Sequence, residues 1–129
     1  MVLVDTSVWV LVLSRRAPFR LESLADFRDV VTCPVIIQEV LQGIRDERAF
    51  RRIRGALEAL PTVESPLPIE RFLEAAVLYR LARSAGKTVR AGADCLIAAC
   101  AIRHDLEVLH RDRDFTALAQ VSPLRQREV

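Results

Sequence analysis

Short runs of aliphatic and β-branched residues at Met1–Val4, Val30–Thr32 and Glu107–His110 alternate with longer segments whose apolar residues return every three or four positions. This alternation constrains the fold more than any other feature, because adjacent parallel strands need a crossover and a helix supplies it. A parallel α/β sheet is therefore expected. The helical segments carry their own punctuation. Asp5-Thr6-Ser7 supplies N-cap chemistry before Val8–Leu13, and Pro34 suits the first turn of a helix running to Gly43. Arg45–Leu60 places Phe50, Ile53, Leu57 and Leu60 at helical spacing, and a short strand is expected over Thr62–Glu64. Pro68–Ala85 reads as a helix with Phe72, Ala76, Tyr79 and Ala82 or Arg83 tracing its turns and Gly86 closing it. Ala93–Arg103 is apolar almost all round, so it belongs in the centre of the molecule, and Phe115–Ala119 is a short last helix.

A chain of 129 residues suits one domain, and the linker-like stretch Pro61–Pro68 is too short to divide it. With 51% hydrophobic and 28% charged residues it is too apolar for disorder and too charged in every long window to span a membrane. Met1–Leu13 does not read as a secretion signal, since Asp5 interrupts it, so a cytoplasmic protein is expected. Cys33, Cys95 and Cys100 are odd in number and lack C-x-x-C spacing, which argues for buried thiols rather than disulfides or a zinc site. Eighteen of the nineteen basic residues are arginine; this suits bidentate phosphate contacts and equally a solvated helix face.

In parallel α/β sheets, sites form beyond the carboxyl ends of the strands. Asp5 ends the first strand, and Asp112 and Asp114 follow the strand ending at His110. Asp94 opens the apolar helix, and Glu39 lies on the helix after the second strand; right-handed crossovers return both to the same edge. Asp5, Glu39, Asp94 and Asp112 are thus expected to converge. Two carboxylates about 4 Å apart repel by roughly 4 kcal/mol at an effective dielectric of 20, and a divalent cation is the natural compensation. An all-oxygen donor set suits Mg²⁺ or Mn²⁺ and the hydrolysis of a phosphodiester. Thr6 or Ser7 is placed to support a ligand carboxylate. Taken singly, each acid also has a plain role: Asp5 as a helix cap, Asp94 as complement to a helix dipole, Glu39 on a polar helix face, Asp112 and Asp114 in a charged loop.

Leu3–Ser7, the Pro34–Gly43 run containing Glu39, Asp94–Ala99 (Asp-Cys-Leu-Ile-Ala-Ala) and Arg111–Phe115 (Arg-Asp-Arg-Asp-Phe) together resemble PIN-domain ribonucleases, especially the VapC-type toxins of toxin–antitoxin pairs. The resemblance spans nearly the whole chain. It implies a single PIN domain over residues 1–129, a three-layer α/β/α sandwich around a central, mostly parallel sheet. It implies a Mg²⁺- or Mn²⁺-dependent endoribonuclease with Asp5, Glu39, Asp94 and Asp112 as metal ligands. Asp114 matches the second acid of the late motif, as ligand, support or cap, and Ser7 matches a small polar residue near the metal. His104 and His110 match no ligand and read as surface or strand-end residues. A cognate VapB-type antitoxin and a homodimer are the implied partners, with RNA as substrate. Arg15, Arg16, Arg45, Arg48, Arg51 and Arg52 are candidate phosphate contacts.

Other readings fare worse. An aspartyl-phosphate phosphatase needs a second aspartate two positions after Asp5, where Ser7 stands, and a receiver domain needs a late strand-end lysine that Lys87 does not provide. A catalytically inactive PIN-type module that binds RNA or acts as a scaffold is the remaining alternative, against which stands the presence of every expected acid.

Overall fold

The computed structural model describes residues 1–15 and 19–129, so Arg16, one of the candidate phosphate contacts, lies outside the described residues. Four strands form one sheet in the order β2-β1-β3-β4, all parallel: β1 (Val2–Val4), β2 (Val30–Val31), β3 (Glu107–His110) and β4 (Arg125–Glu128). Leu3 pairs with Val31 on one side and Val108 on the other, and Val4 with Leu109. Successive residues of a strand face opposite sides of the sheet, and Leu3, Val4, Val108 and Leu109 are all fully buried. Both faces are therefore covered, which is why these strands read as unbroken apolar runs.

The cover consists of α1 (Thr6–Val12), α2 (Pro34–Gln42), α3 (Glu47–Glu58), α4 (Ile69–Ser84), α5 (Gly92–Arg103) and α6 (Arg113–Ala119). The helices α1, α2 and α3 pack in succession, and α4, α5 and α6 pack on one another, giving the α/β/α sandwich. Helix α5 buries Cys95, Ile97, Ala98, Ala99, Cys100 and Ala101 on all sides, as its composition demanded, and Cys33, Cys95 and Cys100 are free buried thiols. At the end of α4, Gly86 takes a left-handed φ of 74°, and Lys87 N–H bonds back to the Ala82 carbonyl at 2.9 Å.

Two expectations need correction, and one strand was not expected. The strand over Thr62–Glu64 is only an isolated bridge between Thr32 and Thr62. Pro61 lacks an N–H, and Glu64 turns the chain with φ 57°, so pairing cannot propagate. The final strand β4, Arg-Gln-Arg-Glu, carries no apolar pattern because it is an exposed edge; ion pairs of Arg125 with Asp105 (3.0 Å) and Arg127 with Glu107 (3.1 Å) stand in for apolar packing. On α4 the buried face is Arg71, Ala75, Leu78 and Ala82, while Phe72 and Tyr79 are exposed. Apolar residues occupy two sides of this helix, and the buried side includes an arginine, held by Glu64 at 3.3 Å and Glu74 at 3.2 Å. Periodicity alone therefore selected the wrong stripe.

Leu109 is wholly enclosed where β3 meets the helices. Leu109→Ala is expected to lower unfolding free energy by about 3 kcal/mol in urea denaturation, the usual cost of lost burial plus a cavity.

Candidate metal centre

Each acid reaches the carboxyl edge of the sheet on a different element. Asp5 follows β1 directly, with its N–H bonded to the Leu109 carbonyl of β3 at 2.9 Å, so the two central strands fix its position. Its Oδ2 accepts the Ser7 N–H at 3.0 Å and the Ser7 hydroxyl at 2.5 Å, so it does cap α1. Oδ1 is buried without a partner. The Ser7 Oγ also accepts the Arg111 N–H at 2.9 Å, tying the Asp5 turn to the loop after β3.

That loop carries Asp112 and Asp114. Asp112 caps α6, its Oδ1 accepting the Asp114 N–H at 2.9 Å, and its own N–H donates to His110 Nδ1 at 3.1 Å. Asp114 is buried, and its Oδ2 accepts the Arg90 N–H at 3.0 Å while Oδ1 has no hydrogen-bond partner. Asp94 opens α5, also buried, with Oδ2 unpartnered. Carboxylate oxygens of Asp94, Asp112 and Asp114 all lie within 4.8 Å of one another. Asp5 and Glu39 stand outside that three-oxygen group but feel the charge of Asp112. Glu39, on α2, accepts the Thr6 hydroxyl at 3.3 Å.

The electrostatics follow from burial and crowding. Desolvation, then the charges of Asp112 and Asp5, push the Asp94 carboxyl from an ordinary 3.8 to about 9. Burial raises Asp5 despite its bonds to Ser7, and burial together with the Asp5 charge raises Glu39. The buried, unpartnered oxygens of Asp5, Asp94 and Asp114 fit a hard divalent cation. The donor set contains no nitrogen or sulfur that would favour zinc.

Two contributors escaped the sequence reading. His110 is a strand-end residue but fully buried rather than on the surface; with Nδ1 accepting from Asp112, Nε2 carries the proton and donates to Gln126 Oε1. No ligand-like spacing marks it, and only the three-dimensional pairing with β4 reveals its task of fixing the Asp112 turn. Arg90 brings a guanidinium to Asp112 and Asp114 from a segment with no pattern of its own. His104 is exposed and bonds Glu64 at 2.8 Å, away from the acids.

This arrangement of sheet, helices and edge acids is shared with known proteins. The PIN domain family matches residues 2–121. VapC ribonuclease Mb1587 of Mycobacterium bovis and ribonuclease VapC11 of Mycobacterium tuberculosis are each 37% identical over 97% of this chain and 96% of their own length. The solved VapBC2 of Rickettsia felis, bound to a DNA fragment from its promoter, superposes with a TM-score of 0.78 over 100% of this chain and 99% of that one; at 12% identity it speaks for the fold alone. The chain belongs to the PIN-domain family, among the VapC ribonucleases.

The raised carboxyl pKa gives a signed expectation. The folded, metal-free chain holds the Asp94 proton more tightly than the unfolded chain, so the stability this group contributes is fully present below an ordinary carboxylate pKa and is lost as pH rises toward about 9. Thermal melts in chelator should show this decline, and Asp94→Asn should flatten it; an unchanged slope in the variant would contradict the crowding described here.

Proposed function

We propose that this protein is a Mg²⁺- or Mn²⁺-dependent endoribonuclease that hydrolyses RNA phosphodiester bonds as the toxin of a VapBC-type toxin–antitoxin pair, one PIN domain over residues 1–129 acting in the cytoplasm. The observation that carries the reading is the meeting of Asp94, Asp112 and Asp114, with Asp5 and Glu39 beside them, on a chain of the VapC family. Asp94, Asp112 and Asp114, with Asp5 and Glu39 beside them, would hold a divalent cation, which would supply positive charge to offset that of a phosphodiester. The chain's own residues do the rest. Ser7 and His110 hold the Asp5 and Asp112 turns in register, and Thr6 steadies Glu39. The unpartnered oxygens of Asp5, Asp94 and Asp114 favour a working metal site over an inactive RNA-binding or scaffolding module, which has no need of them.

RNA contacts extend along a groove of about 530 Å³ between the end of α1 and α3, where Arg15, Arg48 and Arg52 line the walls. Arg45 and Arg51 are exposed nearby in sequence and serve the same backbone contacts. A VapB-type antitoxin silences the enzyme by presenting a basic side chain to the acids, offsetting their charge as a metal does. Among the described residues no helix is long and apolar enough to cross a membrane. The exposed stripe Ile69, Leu73, Val77 and Leu81 on α4 is instead suited to a second copy of the chain, giving a homodimer.

Two experiments follow. Antitoxin-free wild type should cut RNA with Mg²⁺ or Mn²⁺ and not in chelator, while Asp94→Asn falls by at least about 100-fold; equal activity in both proteins would refute the site. Leu73→Glu is expected to shift sedimentation from dimer to monomer without unfolding, and an unaltered dimer would exclude α4 as the interface.

A further inference from the structure

Among the described residues, the ion pairs that reach the acid cluster come from Arg90 alone. The residue is held in an unusual way. Its backbone is anchored, with its N–H on Asp114 Oδ2 at 3.0 Å, so the root of the side chain cannot drift from the cluster. Its guanidinium, by contrast, is loose. Nη2 lies 3.5 Å from Asp112 Oδ1 and Nε 3.8 Å from Asp114 Oδ1, and the side chain is 58% exposed. A guanidinium engaged as a forked partner sits about 2.7–2.9 Å from its carboxylate. An exposed pair at these distances contributes little, so the head can leave at small cost.

The two oxygens it rests on belong to Asp112 and Asp114, which with Asp94 form the three-oxygen group. A divalent cation drawing on those same carboxylates would repel the guanidinium outward, toward solvent, while the backbone anchor keeps it at the rim. A planar fork of N–H donors beside a metal is matched to the non-bridging oxygens of a phosphodiester. We infer that Arg90 is a substrate-binding residue, resting on Asp112 and Asp114 in the free protein and gripping the RNA phosphate at the metal centre when substrate arrives. This inference rests on the ribonuclease reading given above. It differs from the groove arginines in its contacts: Arg90 rests on Asp112 and Asp114, whereas Arg15, Arg48 and Arg52 line a separate groove.

The test compares wild type, Arg90→Gln and Arg90→Lys by fluorescence anisotropy with a fluorescein-labelled single-stranded oligoribonucleotide, using Ca²⁺ in place of Mg²⁺ so that binding is read ahead of cleavage. Arg90→Gln should bind about tenfold more weakly, the size of one charge-assisted hydrogen-bonded contact. Its plot of log affinity against log salt should be shallower by about 0.7, the loss of one phosphate contact on a single strand. Arg90→Lys, which keeps the charge but not the fork, should retain the slope with intermediate affinity. Mn²⁺ binding followed by electron paramagnetic resonance should be no weaker in Arg90→Gln, since a competing cation has been removed. An unchanged salt slope in Arg90→Gln, or loss of its Mn²⁺ binding with an unaltered thermal melt, would overturn the inference, the latter by showing that Arg90 serves the acids. Failure of the wild type to bind this RNA with Ca²⁺ would instead remove the ribonuclease reading, and the inference with it.

Discussion

Carboxylates converging at the edge of a parallel sheet repel one another, and the repulsion between Asp94 and its neighbours Asp112, Asp114 and Asp5 is the constraint to which much of this molecule responds. Three of the four are held by hydrogen bonds: Asp5 by Ser7, Asp112 by its cap on α6 and by His110, Asp114 by the Arg90 N–H. Burial makes the repulsion worse, since removing water strengthens every interaction between charges. The crowding raises the Asp94 carboxyl pKa, chiefly through burial and the charge of Asp112, and Arg90 leans over Asp112 and Asp114.

The scaffold keeps this strained group in place through its most rigid parts. β1 and β3 are central strands with residues buried on both faces, and Asp5 and the Asp112 turn emerge from their ends. α5, enclosed on all sides, carries Asp94 at its first turn. Sites assembled at the ends of packed elements are more closely defined than sites on free loops, and the cost in stability is the usual companion of function.

Much of this was legible in the sequence, for physical reasons. The strands at β1, β2 and β3 are short and wholly apolar because both faces are covered, and the helix of Ala93–Arg103 is apolar all round because it is central. The rule that sites gather beyond strand ends led directly to Asp5, Asp112 and Asp114. β4 was missed because an edge strand stabilised by Arg125–Asp105 and Arg127–Glu107 pairs has no apolar period. The buried face of α4 was misplaced because Arg71 belongs to it and its opposite side is equally apolar. Arg90 and His110 carry no signal in one dimension: each matters for what lies opposite it in the fold. The sequence also could not separate the inner three acids from Asp5 and Glu39, since that distinction is a matter of a few ångströms.

The claim that these acids form a metal centre is tested most directly by anomalous X-ray scattering from crystals of the antitoxin-free protein soaked in Mn²⁺. A manganese peak is expected among the carboxylate oxygens of Asp94, Asp112 and Asp114, with the Arg90 guanidinium withdrawn from Asp112. A map with no peak there, and Arg90 still resting on the acids, would contradict it.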